Sequence, residues 1–339
     1  MPEVSIVVRS YNRLPLLCEL LELLLAQDHQ SFEIVVVEQS NRPDPDAEAR
    51  LRQLEEDARL RVLRHPPLGG ARARNVGVEA SRGDLILFID DDDLPAGNQW
   101  IAAHVANFRD PKCMGVSGRQ ENTAGETNPY GRRADLAYRR CQMFSPLLKL
   151  PWAYVRQTRR KVPVDGVHGT NGAIRREAFE RFGGWDVDTR IEDEASFGYR
   201  AQRAMTDGEY FCFDPRPVVV RRLDVRGGLD KRFMTAGQYC ERLLDFAHHI
   251  IGRYFPGRIK WLYPLYALAL YGWTVDWIWT DSQRYATLPA RVGATVWMLG
   301  ALPFHVTRSL VRFSRRAPTG SDTGSPSRSS DPPHQNTSP

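Results

Sequence analysis

Four consecutive aspartates, Asp90, Asp91, Asp92 and Asp93, end the apolar run LILFI at 85–89. Adjacent carboxylates tolerate one another when hydrated, protonated or shared with a cation. A divalent metal is the economical answer, and oxygen-only ligands on a short turn suit Mg or Mn, which take a few carboxylates plus substrate phosphates. A calcium loop of EF-hand type would need Gly at its sixth position and Glu at its twelfth, where counting from Asp90 gives Pro95 and Ile101. The competing reading is a plain acidic surface turn.

The elements that must hold this turn alternate along the first half of the chain. VSIVV (4–8) and FEIVVVE (32–38) are β-branched runs too short for helices, and between them Leu17, Leu20, Leu21 and Leu24 recur at helical spacing within 14–27. RVLR (61–64) and LILFI (85–89) repeat the theme around ARARNVGVEAS (71–81), which reads as a helix. Continuous rather than alternating hydrophobicity marks strands covered on both faces, as in a parallel α/β sheet. Ligands bind at the strand C-termini of such sheets. That rule gathers Arg9 to Asn12, Glu38 to Asn41 and the aspartates at one edge. Residues 119–165 break the pattern and read as an acceptor-side loop or lid. HGTNGAIRREAFERFGGWD (168–186) then gives a short strand and a helix, residues 191–205 a further helix, and 210–221 closing strands.

Composition bounds the rest. The chain has 339 residues, 42% apolar and 26% charged, which suits one catalytic-sized domain with an appendage. A net charge of +5 with clustered arginines favours anionic substrates or an anionic lipid surface, and no nucleic-acid-binding module is recognisable. Five cysteines form no CxxC pair, and the N-terminus enters a strand with no signal-peptide pattern, so the expected location is cytoplasmic, possible contact with the inner membrane face included. Gly69, Gly70 and Gly77 do not make GxGxxG, and no GK[ST] loop is present, which disfavours a nicotinamide dehydrogenase and a P-loop enzyme.

Taken in order, Arg9-Ser10-Tyr11-Asn12-Arg13, FEIVVVEQSN (32–41), GGARARNVG (69–77) and RGDLILFIDDDD (82–93) resemble the nucleotide-sugar-binding half of family 2 glycosyltransferases, over roughly residues 4 to 225. The resemblance implies an α/β GT-A fold, a Rossmann-like, mostly parallel sheet flanked by helices with a C-terminal helical extension. It implies an inverting transferase that moves a sugar from a nucleotide-diphosphate donor to a glycan or lipid-linked acceptor, in cell-envelope polysaccharide or glycolipid synthesis. By position, Asp90 and Asp92 coordinate Mg or Mn on the donor diphosphate, with Asp91 and Asp93 alongside. Arg9, Tyr11, Glu38, Gln39, Arg74, Asn75 and Asp91 form the donor nucleotide site, where Glu38-Gln39 replaces the family's usual pair of aspartates. Arg72 offers one further guanidinium, and Asp84 suits nucleotide contact or loop-bracing equally.

Transfer with inversion needs a base for the acceptor hydroxyl. GGWDVDTRIEDEASFGYR resembles the segment that carries it, which makes Asp193 the base with Glu192 beside it. Crowding by Glu192 and Glu194 raises its proton affinity, although acids at a helix N-terminus also simply favour the macrodipole. Asn171 and Gly172 match the acceptor pocket, and Trp185 can stack on a sugar or fill the core. Where many relatives place a metal-approaching His after the closing strand, Arg222 stands here, with His168 the nearest other histidine by motif. Two alternatives accompany this reading: a catalytically inactive GT-A binding protein, and a sugar nucleotidyltransferase, which would want a Gly-rich phosphate loop after the first strand.

The expected domains are 1–225 catalytic, 226–313 helical and 314–339 a Ser/Pro/Gly-rich tail that cannot bury a core. WLYPLYALALYGWTV (261–275) and VGATVWMLGALPFHVT (292–307) are uncharged, Trp- and Tyr-rich and flanked by Arg258, Lys260, Arg291, Arg308 and Arg312. At 1.5 Å per residue each falls short of the ~30 Å hydrocarbon core, so interfacial attachment, buried or oligomerising helices, and a short transmembrane hairpin all remain open.

Overall fold

The computed structural model describes residues 3–42, 44–122, 160–188, 193–222, 234–254, 263–280, 282 and 284–316. Glu192, most of the loop or lid expected over 119–165, and the tail beyond 316 lie outside the described residues.

The strands β1 (Val4–Ser10), β2 (Phe32–Glu38), β3 (Leu60–Arg64) and β4 (Leu85–Asp90) form the parallel half of one mixed sheet. Their spatial order is β3-β2-β1-β4. Beyond β4 the sheet continues through β8 (Asn171–Arg175), β6 (Cys113–Asn122), β9 (Tyr210–Arg221) and the short β5 (Asp93–Pro95), with β7 (Val162–Val164) also on β9. In this half β4/β8, β6/β8, β5/β9 and β7/β9 are antiparallel and only β6/β9 is parallel. The mostly parallel expectation therefore describes the half formed by β1 to β4 and not the other.

Both faces are covered, as the continuous apolar runs require. Leu85, Leu87 and Ile89 join the core under α1 (Leu14–Leu25) and α2 (Pro45–Leu54), while Ile86 and Phe88 join a second core on the opposite face. That second core is aromatic: Phe88, Phe179, Phe182, Trp185, Phe197 and Phe211 lie at ring-centroid separations of 5.1 to 6.2 Å. Such pairs add roughly 0.5–1.5 kcal/mol each beyond their area. On this side α3 (Gly70–Ala80) presses so close to β1 that a Cβ at Gly77 would meet Val7 Cγ1 at 2.4 Å.

The short α4 (Trp100–Val105) precedes β6, and α5 (Arg176–Arg181) and α6 (Asp193–Ala204) follow β8. Beyond β9, α7 (Ala236–Tyr254), α8 (Tyr263–Thr280) and α9 (Leu288–Arg316) pack on one another around Cys240, Leu243, Leu244, Leu270, Trp277 and Met298. Tyr199 of α6 enters the same cluster and joins the bundle to the sheet domain. Among the described residues no helix is long and apolar enough to cross a membrane.

Candidate active site

The aspartates occupy the turn from β4 into β5, at the sheet edge where the parallel strands end. Asp90 closes β4 and Asp93 opens β5, so pairing on both sides fixes the turn. Asp90, Asp91 and Asp93 are buried, and the Asp92 side chain keeps 22% of its surface. Carboxylate oxygens of Asp90, Asp92 and Asp93 lie within 4.8 Å of one another, a hard-oxygen set that fits Mg or Mn. The trio takes in Asp93, which stood only alongside in the expectation from sequence.

Arginines from three directions answer the self-repulsion. Arg9, the register neighbour of Asp90 on β1, donates Nε and Nη2 to its Oδ1 and Oδ2 at 2.9 and 2.8 Å. Arg13 at the start of α1 reaches Asp91 at 2.9 Å and Asp92 at 3.0 Å. Arg221, the register neighbour of Asp93 on β9, donates to both its oxygens at 3.0 and 2.5 Å. Ser10 Oγ donates to Asp91 and Gln120 Nε2 to Asp93, each at 2.8 Å. Burial opposes ionisation of Asp90, yet Arg9, Arg74 and Arg221 outweigh it and hold that carboxylate well below the usual range. Burial pushes Asp91 up to about 7, with Arg13 pulling against it and Asp92 adding to it. Asp93 rises to about 6, again by burial and against Arg221.

Arg74 of α3 joins this turn to the expected base. Its Nη2 donates to Asp90 Oδ1 at 3.1 Å and its Nη1 to Asp193 Oδ2 at 3.0 Å, while the guanidinium carbon sits 5.6 Å from the Trp185 ring centroid. The helix opens at Gly69, whose φ of +86° suits glycine. Gly169 leaves the room the side chain needs, since a Cβ there would stand 2.6 Å from Arg74 Cζ. Asp193 opens α6, and burial and the charge of Glu194 push it up to about 7 against Arg74 and Arg9. A carboxyl at that value is poised for proton transfer near neutrality.

Other expected site residues take different places. Glu38 Oε1 accepts from Ser40 N at 2.6 Å and Gln39 Oε1 from Leu68 N at 2.8 Å, so both brace loops at the site edge. Tyr11, just after β1, is 41% exposed. Asn12, at φ 56°, ties the β1 loop to the β2 loop through Ser40, Asn41 and Arg42. Asn75 clasps the Trp185 backbone with two 2.9 Å hydrogen bonds, and Trp185 itself is 2% exposed, its ring edge-on to Phe88. The ring belongs to the core and offers no open face to a sugar.

Asn171 is a buried bracket. Its Oδ1 accepts from Trp100 Nε1 at 2.9 Å and from His104 Nε2 at 3.0 Å, and its Nδ2 donates to the carbonyls of Arg119 and Pro217. His104, lowered to about 4 by burial, is the neutral partner. Gly172 is tightly packed, a Cβ there falling 2.0 Å from His168 O. His168 is buried and donates its amide to Ser117. Asp84 stands at the opposite end of β4 from the aspartates, its carbonyl accepting from Arg176 N, which is loop-bracing rather than nucleotide contact. Arg72 is exposed on α3.

Arg222 is the clearest correction. Its guanidinium pairs with Glu19 on α1 at 2.7 Å, and Arg221, one residue earlier, meets the aspartates. Arg13, Ser10 and Gln120 also went unassigned in the sequence, although Arg13 stands inside the first motif. Beneath Asp193, Asp186 accepts from Ser196 Oγ of α6 at 2.5 Å and lies 3.0 Å from His249 Nε2 of α7.

Two solved structures share this architecture. A mannosyltransferase, PcManGT from Pyrobaculum calidifontis, in complex with GDP-Man and Mn2+, superposes with a TM-score of 0.53 at 19% identity, covering 93% of this chain and 87% of its own. S. aureus TarS 1-349 in complex with UDP-GlcNAc gives 0.55 at 14% identity, covering 94% and 88%. The fold is thus that of GT-A glycosyltransferases. The family model for glycosyl transferase family 2 matches residues 5–183, more than half the chain, and the protein belongs to that family. The uncharacterized glycosyltransferase EpsJ of Bacillus subtilis is 39% identical over 92 residues, 27% of this chain and 26% of its own, and the glycosyltransferase GlyG of Streptococcus pneumoniae is 34% identical over 96 residues, 28% and 32%. The matched segments thus span about a quarter to a third of these curated relatives.

Proposed function

We propose that the protein is an inverting glycosyltransferase that takes a sugar from a nucleoside-diphosphate donor and places it on a hydroxyl of a cell-envelope glycan or lipid-linked acceptor. The observation that carries this reading is the Arg74 bridge, which sets a carboxyl poised near neutrality against the acidic turn. Asp193 takes the acceptor proton as the oxygen attacks the anomeric carbon from the face opposite the leaving group. Asp90, Asp92 and Asp93 would hold Mg or Mn, and the bound ion supplies neutralising charge for the departing diphosphate. Asp92 presents the most open carboxylate of the three. Arg9, Arg13 and Arg221 are forked donors within reach of the same turn and suit phosphate oxygens. Family membership and the nucleotide-sugar complexes of the two structural neighbours support the donor class.

Titration of the purified chain with UDP, GDP and dTDP, each with and without Mn, tests the donor site. Binding of one nucleotide that strengthens with Mn and is lost in Asp92→Ala is expected. Failure of all three to bind under either condition would sink the transferase reading in favour of a GT-A binding protein. The anomeric configuration of the product, read by NMR, tests inversion.

A further inference from the structure

The C-terminal bundle buries one side of its last two helices and leaves the other apolar. On α9, Met298, His305 and Ser309 face the cluster, whereas Leu288, Val292, Val296 and Leu299 recur at helical spacing on an exposed side. Val296 is 63% and the neighbouring Trp297 55% exposed. On α8, Leu265, Leu268 and Trp279 continue the exposed apolar surface, and Trp279 Nε1 donates to Thr295 of α9, which ties the two helices side by side. Contiguous exposed apolar surface of this kind marks an interaction site.

Charge decides among occupants. The α9 sequence carries Arg291, Arg308, Arg312, Arg315 and Arg316 and no acid, while α8 contributes only Asp276. Arg308 pairs with Glu241 of α7, and a second copy of the chain would still bring another helix of the same net positive charge alongside. An anionic surface complements them. Neither helix is long and apolar enough to span, and helices with an apolar side, Trp residues and basic flanks lie in the interface plane.

We propose that the outward side of α8 and α9 is a docking surface for an anionic lipid bilayer, on which the enzyme rests without crossing. This inference is independent of the donor site. The full chain is sedimented with vesicles of phosphatidylcholine alone or mixed with phosphatidylglycerol, at low and high salt. Binding to the anionic vesicles, weaker at high salt and reduced at least tenfold in Val296→Glu/Trp297→Glu, is expected. Circular dichroism and nucleotide binding by the variant serve as the folding control. Equal binding of wild type and a folded variant, or no binding to anionic vesicles, overturns the proposal. So does a lipid-free dimer that the double variant converts to monomer, because the surface is then a contact between copies. Should the double variant fail to fold, single Val292→Asp is read the same way.

Discussion

The two sides of the site are held differently. The aspartate turn, the donor side of the proposed transferase, is built on strand ends: Arg9 and Asp90, and Asp93 and Arg221, are register neighbours in the sheet, so the hydrogen-bond ladder itself places each charge pair. The proposed acceptor side rests on the first turn of α6, and Asp193 meets the acidic turn through a single guanidinium, that of Arg74. In the proposed transferase the strands fix charge, and one arginine fixes the distance between the two sides.

The largest expected effect breaks the acceptor side alone. Asp193→Asn should lower kcat by roughly 10³-fold or more, the scale of general-base catalysis, and leave nucleotide affinity within about twofold. A matching loss of nucleotide binding would show that the two sides are not separable. Asp92→Ala, on the proposed donor side, should cost roughly 10²–10³-fold in kcat/KM and abolish Mn-dependent nucleotide binding as well. Arg74→Lys keeps the charge but cannot fork to both carboxylates, so a fall of ~10–100-fold in kcat with unchanged donor affinity is expected by steady-state kinetics.

A gentler change sharpens the comparison through pH. As the proposed base, Asp193 acts ionised, so the rate should rise with pH through about 7. Glu194→Gln removes a like charge that raises Asp193, and the acid limb of the kcat/KM profile should move to lower pH. Asp91 also rises to about 7, but through burial and its neighbours in the turn. An acid limb unmoved by Glu194→Gln would therefore assign the titration to the donor side. The smallest change concerns the bracket between the sheet halves: Asn171→Ala orphans the buried Trp100 donor and should cost ~3 kcal/mol in urea denaturation, with the donor site otherwise retained.

Much of the donor side was legible because its signals are local. The apolar runs of β1, β2 and β4 announce strands covered on both faces, and the aspartates follow directly on one of them. What was not legible depends on pairings distant in sequence. Nothing near Asn171 shows that it meets Trp100, 71 positions earlier. Strand β5 is three residues long and is defined by its partner β9. Arg221 and Arg222 are adjacent and chemically identical, and only the register Asp93↔Arg221 and the pleat decide which of them faces the turn. Trp185 shows a similar limit, since an aromatic next to a catalytic segment reads alike as a sugar platform or as core, and here the core of Phe88, Phe179 and Phe197 claims it.

The aspartate turn carries its own counter-ions. Each of its four carboxylates, and Asp193 beyond them, has a guanidinium from Arg9, Arg13, Arg74 or Arg221 at 3.1 Å or less. Sites that depend on metal to hold their ligands together unfold when it is removed. This one is cross-linked by its own side chains, so chelation should lower the melting temperature by no more than the linkage of ion binding and leave the chain folded, while abolishing any metal-assisted turnover. If the proposed metal dependence holds, the fold would outlast loss of the ion and the activity would return with it.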